Sequence, residues 1–158
     1  NAGVAALKAE LESYASCAQR PSVTLVGYSQ GADVIGTALG ESLGNNARAS
    51  VQGAVLFGDP SYRPNQPINA PGSNPQGSGM FSLSRSDAIQ ATLNDMRSYG
   101  WNSDTGSLGW RQHVREYCNE GDAACQNNVA SGWGVHGDYG KWTQDAAFFL
   151  NNFIIPPG

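Results

Sequence analysis

Val23-Thr24-Leu25-Val26-Gly27-Tyr28-Ser29-Gln30-Gly31-Ala32-Asp33-Val34 is the stretch on which the fold turns. A short β-branched run stops at Gly27, a serine sits between glycines, and an apolar-periodic segment follows at once. The spacing predicts strand, sharp turn and helix, with the pattern Gly-x-Ser-x-Gly on the turn. So tight a bend puts Ser29 in a strained backbone conformation, and side chains two residues before and after it are expected to collide. The bend lifts the serine hydroxyl off the sheet, and the helix N-terminus sets backbone N–H groups beside it. Such a site suits nucleophilic attack on an ester or related acyl group. In a chain with 20 glycines the same pattern also fits an ordinary strand-to-helix turn. The strand before it and the helix pattern after it favour the nucleophile.

Working outward, Val4, Leu7, Leu11 and Tyr14 recur at steps of three and four, which predicts an amphipathic helix from Asn1 to about Ala15. After the turn, Ala32, Val34, Ile35, Ala38, Leu39 and Leu43 extend the second helix to a stop at Gly44-Asn45-Asn46. Val51 to Phe57 reads as a buried strand ending at Gly58-Asp59-Pro60. This helix–strand–helix–strand order predicts a parallel sheet with helices on its faces. Residues 60–80, with five prolines and little periodicity, read as an extended loop. Ser84 to Tyr99 reads as a helix, Trp101 to Trp110 as a loop, and His113 to Tyr117 as a short strand. Residues 119–143 are expected to be mostly loop, and Asp145 to Ile154 a closing helix.

Composition narrows the function. A length of 158 residues suits one domain with a real core, and 40% hydrophobic residues make it globular. The net charge is −4, and the nine basic residues are scattered, which argues against a nucleic-acid surface or a polybasic membrane patch. No apolar run approaches the roughly 20 residues that span a bilayer. Cys118 and Cys125 bracket a short loop that a disulfide could close, with reduced thiols or a metal site as the alternatives. The C-x2-C spacing of zinc sites is absent. Cys17 is left over as a free thiol or one with a partner on another chain.

A serine nucleophile needs a base, and the chain has two histidines, His113 and His136. Where such a serine turn acts, the partners follow in the order Ser, acid, His, which favours His136 over His113. Among acids, Asp122 lies between the two cysteines, in a loop able to hold a carboxylate at a fixed angle. Asp59 is its rival, although its place beside Pro60 favours a turn-capping role. Asp138 stands too close to His136 in sequence to orient it.

Gly27-Tyr28-Ser29-Gln30-Gly31-Ala32, Phe57-Gly58-Asp59-Pro60, Tyr117-Cys118 through Asp122 to Cys125, and His136 with Tyr139-Gly140 occur in order. Together they resemble the cutinase and acetylxylan esterase family, small serine esterases of the α/β-hydrolase class. The Gly58-Asp59-Pro60 segment looks more like the acetylxylan esterase branch. The resemblance implies a three-layer α/β/α sandwich with a central parallel sheet, residues 1–158 forming one catalytic domain. It implies Ser29 as nucleophile, His136 as base, Asp122 as acid and the Gln30 N–H as one oxyanion donor. It implies no metal or organic cofactor, and an extracellular enzyme acting on acetyl esters of plant-wall polysaccharide or on cutin-like polyester.

Two departures from the family carry further expectations. The stretch between Asp59 and Cys118 is long, so residues 61–112 are expected to form an insertion, with Pro64–Trp110 as a flap over the site. In it, Trp101 and Trp110 either stack on a sugar or lipid chain or anchor the flap. The family's first strands, its second oxyanion donor and a cysteine partner for Cys17 have no match here. The expectation is a processed chain tied through Cys17 to an N-terminal fragment of the same precursor, and a poor enzyme without it, since losing one oxyanion donor costs roughly 10²–10³ in rate. The alternative is a hydrolase fold that has lost activity and serves as a binding or toxin-like module, against which the complete Ser, Asp and His set weighs.

Overall fold

The computed structural model describes residues 1–153. Helix α1 spans Ala2–Ala15, capped by the Asn1 side chain, which accepts a hydrogen bond from the Gly3 N–H at 3.0 Å. Strand β1 (Val23–Tyr28) leads into α2 (Gln30–Gly40) with only Ser29 between them. Where a plain stop was expected at Gly44-Asn45-Asn46, a short helix α3 (Asn45–Ser50) forms. Ala47 is buried there, and the Arg48 guanidinium donates to the Leu39 and Glu41 carbonyls at 3.0 and 3.1 Å, closing the C-terminal end of α2. Strand β2 (Val51–Phe57) follows.

The sheet has the order β1-β2-β5, all parallel, with β5 at Val114–Tyr117. Alternation along β2 builds both cores. Ala54 and Leu56 join Leu11, Ile35, Leu39 and Leu93 on one face, while Val55 and Phe57 pack with Tyr117, Tyr139 and Phe149 on the other. The helices on the first face are α1 to α3 and α4 (Asp87–Asn94), and α6 (Thr143–Asn151) covers the second, so the sandwich has three layers. The parallel register brings Tyr28, Phe57 and Tyr117 to the same end of the sheet. Ligands of open parallel sheets bind outside that carboxyl end.

The middle of the chain departs from expectation. Helix α4 covers Asp87–Asn94 only, capped by Ser86, whose hydroxyl accepts from the Ile89 N–H at 3.2 Å. Arg97 to Tyr99, expected to be helical, instead open a strand. The segment expected to loop from Trp101 to Trp110 is part of an antiparallel hairpin, β3 (Arg97–Asn102) and β4 (Ser107–Gln112). Cross-strand packing of Tyr99 on Trp110, with Arg97 over the Trp110 ring, stabilises what glycines and serines make look like a loop. The hairpin meets the sheet through His113 N–H on the Met96 carbonyl, at the N-terminal end of β5. That end is opposite Ser29, so the hairpin is no flap over the serine. Asp104 at its tip pairs with Arg115, and Ser103 with Asn152, docking it beside α6. Trp101 and Trp110 lie on its open face, 59% and 58% exposed, neither buried as anchors nor placed at the serine. Residues 60–83 do run along the Ser29 end, where Met80 N–H bonds the Ala124 carbonyl and the Ser73 hydroxyl bonds that of Cys118.

Residues 119–142 are loop apart from the single turn α5 (Trp133–His136) and a 3₁₀ turn at Gly140–Trp142. Of the expected closing helix, Ile154 lies outside the described residues. No helix among the described residues is long and apolar enough to cross a membrane.

Candidate active site

Ser29 sits at φ 55° and ψ −124°, a left-handed conformation that costs a non-glycine residue about 1–3 kcal/mol. Backbone bonds hold it there: Ser29 N–H donates to the Phe57 carbonyl at 2.8 Å, and Ala32 N–H to the Ser29 carbonyl at 3.0 Å. Gly27 is required by contact, because a Cβ there would stand 2.8 Å from the backbone of Ala32. Gly31 is not: a Cβ would meet nothing within 4 Å, which corrects the expectation that both flanking glycines avoid a collision. Gln30 is the first residue of α2, and its N–H has no intrahelical acceptor, so it stays free for an anion near the serine.

The three residues singled out as nucleophile, base and acid meet at the carboxyl end of the sheet. The Ser29 hydroxyl lies 2.9 Å from His136 Nε2, and His136 Nδ1 lies 2.9 Å from Asp122 Oδ2. A carboxylate can only accept, so Nδ1 carries the proton and leaves Nε2 to accept from the serine. Asp122 is fully buried and well held. Its Oδ1 accepts from the backbone N–H of Ala124 at 2.6 Å and of Cys125 at 2.9 Å, and its Oδ2 from the Tyr139 hydroxyl at 2.8 Å. The Cys118–Cys125 disulfide closes this loop, so the metal and free-thiol alternatives for those cysteines fall away.

His136 is buried, at 5% exposure. Gly58, at φ +60°, forms its back wall: a Cβ there would be 2.9 Å from His136 Cε1. The Tyr28 ring stacks on the imidazole at 4.9 Å between centroids, and the Tyr28 hydroxyl donates to the His136 carbonyl at 3.0 Å. Asn119 ties the loop that carries His136, its side-chain N–H₂ donating to the Asp138 carbonyl at 2.7 Å and the Val135 carbonyl at 3.3 Å. Sequence reasoning missed the parts played by Tyr28, Asn119 and Tyr139. The only available signal was the clustering of Tyr and Asn around the serine, acid and histidine positions. Burial, chiefly, pushes the Tyr139 hydroxyl well above its ordinary titration range, so it remains a donor to Asp122.

The rivals are elsewhere. His113 bridges the Gln52 carbonyl (2.9 Å) and the Ser98 hydroxyl (2.8 Å) at the far end of the sheet. Asp59 accepts from Ser61 N–H at 2.8 Å, the turn-capping role, and pairs with Arg85 at 2.7 Å. Cys17 is exposed and free, near the end of α1.

The sequence matches the cutinase family over residues 1–154. The chain belongs to the cutinase family. As a member it is a carboxylic-ester hydrolase. The fold of this cutinase-family chain is shared with solved structures. It is similar to the catalytic core domain of acetyl xylan esterase from Trichoderma reesei, with a TM-score of 0.69 and 23% identity, covering 96% of this chain and 69% of that one. A second acetylxylan esterase structure matches with a TM-score of 0.69 at 22% identity over the same shares. A cutinase-like protein from Cryptococcus sp. matches with a TM-score of 0.58 at 17% identity, covering 93% of this chain and 69% of that one. No curated protein sequence matches significantly.

Proposed function

We propose that this chain is a secreted serine esterase working through an acyl-enzyme, with Ser29 as nucleophile, His136 as general base and Asp122 as its orienting acid. The observation that carries the reading is the unbroken hydrogen-bonded series from the Ser29 hydroxyl through His136 to buried Asp122. Ser29 Oγ attacks the ester carbonyl while Nε2 takes its proton, and Asp122 stabilises the imidazolium. The Gln30 N–H stabilises the oxyanion. Nε2 then protonates the departing alcohol, and a water deprotonated by His136 releases the acid and restores Ser29. The substrate class is an acetyl ester of plant-wall polysaccharide, in preference to cutin-like polyester. The closer fold similarity to acetylxylan esterases than to the cutinase-like protein supports that order.

The experiment is labelling with a fluorophosphonate, followed by a panel of p-nitrophenyl acetate, long-chain ester, acetylated xylan and polyester. One covalent adduct at Ser29, abolished in Ser29→Ala, is expected, with acetyl esters turned over fastest. A protein that takes up no probe would favour the inactive binding module instead.

We further propose that Cys17 forms a disulfide to another polypeptide segment, read here as an N-terminal fragment of the same precursor, lying along β1. Supporting this, β1 is an edge strand, and Val26 and Tyr28 on one of its faces are 61% and 50% exposed. Intact mass before and after reduction tests it: a non-reduced species at 16.6 kDa alone ends the proposal.

A further inference from the structure

Behind the serine turn lies a buried cluster of charges that the reaction itself does not use. The Arg85 side chain is fully buried, with Nη2 2.7 Å from Asp59 Oδ2 and 3.5 Å from Asp33 Oδ1, and Nη1 3.9 Å from Glu116 Oε1. Each acid belongs to a different element. Asp33 is in the first turn of α2, Asp59 follows the end of β2, and Glu116 is on β5. Ser61 ties two of them together, its hydroxyl donating to Asp33 at 2.6 Å and its N–H to Asp59 at 2.8 Å.

We infer that Arg85 is a positioning residue for the nucleophile, holding the strained Ser29 turn in register with the wall behind His136 through Asp33 and Asp59. This rests on the esterase reading above. Asp33 is one helical turn from Ser29, and its N–H donates to the Ser29 carbonyl at 3.3 Å. Asp59 is next to Gly58, whose backbone lies against the imidazole. The guanidinium therefore adds a charged tie between the two backbone segments whose separation sets the Ser29–His136 hydrogen bond, beside the Ser29 N–H bond to the Phe57 carbonyl and the Ser61 bond to Asp33. Strained backbone of this kind persists only where its surroundings over-determine it.

Two observations set this apart from simple stabilisation. Helix α2 carries Gly36 where the guanidinium lies against it, and a Cβ there would come 2.4 Å from Nη2. Helix propensity is sacrificed at the point where Arg85 must fit. The cluster is also poorly satisfied: Arg85 Nε and Nη1 and both Glu116 oxygens lack hydrogen-bond partners among the described residues. Buried ions so paired are weak stabilisers, and in some proteins such pairs serve instead to specify one arrangement over others. Burial first, then Asp59, pushes the Glu116 carboxyl well above its ordinary range.

The test uses the whole protein in three variants: Arg85→Lys, Asp33→Asn and Gly36→Ala. Lysine keeps the charge and loses the planar guanidinium whose Nη2 reaches both acids. In Asp33→Asn the side-chain amide still accepts from Ser61 but the ion pair is broken, at a partly exposed position that tolerates the change. Gly36→Ala displaces the guanidinium with every charge intact. Hydrolysis of p-nitrophenyl acetate is measured per active site, titrated to completion with fluorophosphonate, alongside the melting temperature. Each variant is expected to lose roughly tenfold or more in kcat per titrated site with KM within about twofold, since small misplacements of reacting groups cost that much. If Arg85→Lys does not fold, Asp33→Asn decides. Unchanged kcat per titrated site, whether or not melting falls, would reduce Arg85 to scaffolding and overturn the inference. A wild-type protein that takes up no probe would instead sink the esterase reading itself.

Discussion

The Tyr139 hydroxyl stands between the proposed acid and the backbone, donating to Asp122 at 2.8 Å and accepting from Asn119 N–H at 3.1 Å. It both supplies one of the bonds that fix the carboxylate and joins the loop of Asp122 to that of His136. Tyr139→Phe keeps the ring that packs beside Gly58 and removes only these bonds. A fall of roughly three- to tenfold in kcat is expected, with a stability loss of about 1–2 kcal/mol from the groups left unpaired. Steady-state kinetics and a denaturation curve check it; unchanged kcat would confine Tyr139 to packing. At this scale the sequence was readable where a residue's role is local. Gly27 and Ser29 announce their turn within five positions. Tyr139 and Asn119 gave no such signal, because their partners lie 17 and 20 residues away in loops without periodicity.

Among the elements, the loop from Cys118 to Cys125 has the clearest consequence for the site. The disulfide closes a sequence separation of seven residues around Asp122. In the chain-entropy account, closing so short a loop stabilises by about 2–3 kcal/mol. The double variant Cys118→Ala/Cys125→Ala is expected to lose that much in urea unfolding. Its kcat is expected to fall too, because the Ala124 and Cys125 N–H groups that hold Asp122 come from the same loop. Retention of full activity per folded molecule would show that the hydrogen bonds alone fix the acid. The β3–β4 hairpin shows the opposite case of legibility. Its strands carry Gly100 opposite Gly109 and are flanked by Asn, Ser and Asp, so propensity reads loop. Its order comes from cross-strand aromatics and from docking against α6, neither visible in a window of ten residues.

Over the whole molecule, stability is coupled to pH through Glu116. Its carboxyl is fully buried and held well above its ordinary value of 4.5, by burial first and then by Asp59, against the pull of Arg85. The folded state therefore binds this proton more tightly than the unfolded chain. The stability that this group contributes is complete below about pH 4.5 and is lost as pH rises through the folded-state value. Glu116→Gln imitates the protonated acid in size and removes the titration. The wild type is expected to lose melting temperature more steeply than this variant as pH rises above about 4.5. Parallel slopes in thermal melts across pH would assign that loss to other groups.

The strand, the turn and the helices that flank Ser29 are properties of adjacent residues, and the chain alone determined them. Backbone sterics and apolar spacing act over a few positions and need no knowledge of the rest. Tertiary structure decided that Tyr28, Asn119 and Tyr139 close around Asp122 and His136, where the hairpin docks, and that Arg85 and Glu116 lie in the interior. Those outcomes depend on parallel strands ending in register and on water being excluded between elements distant in sequence. Burial of that kind sets charge state and orientation, and no local pattern encodes it.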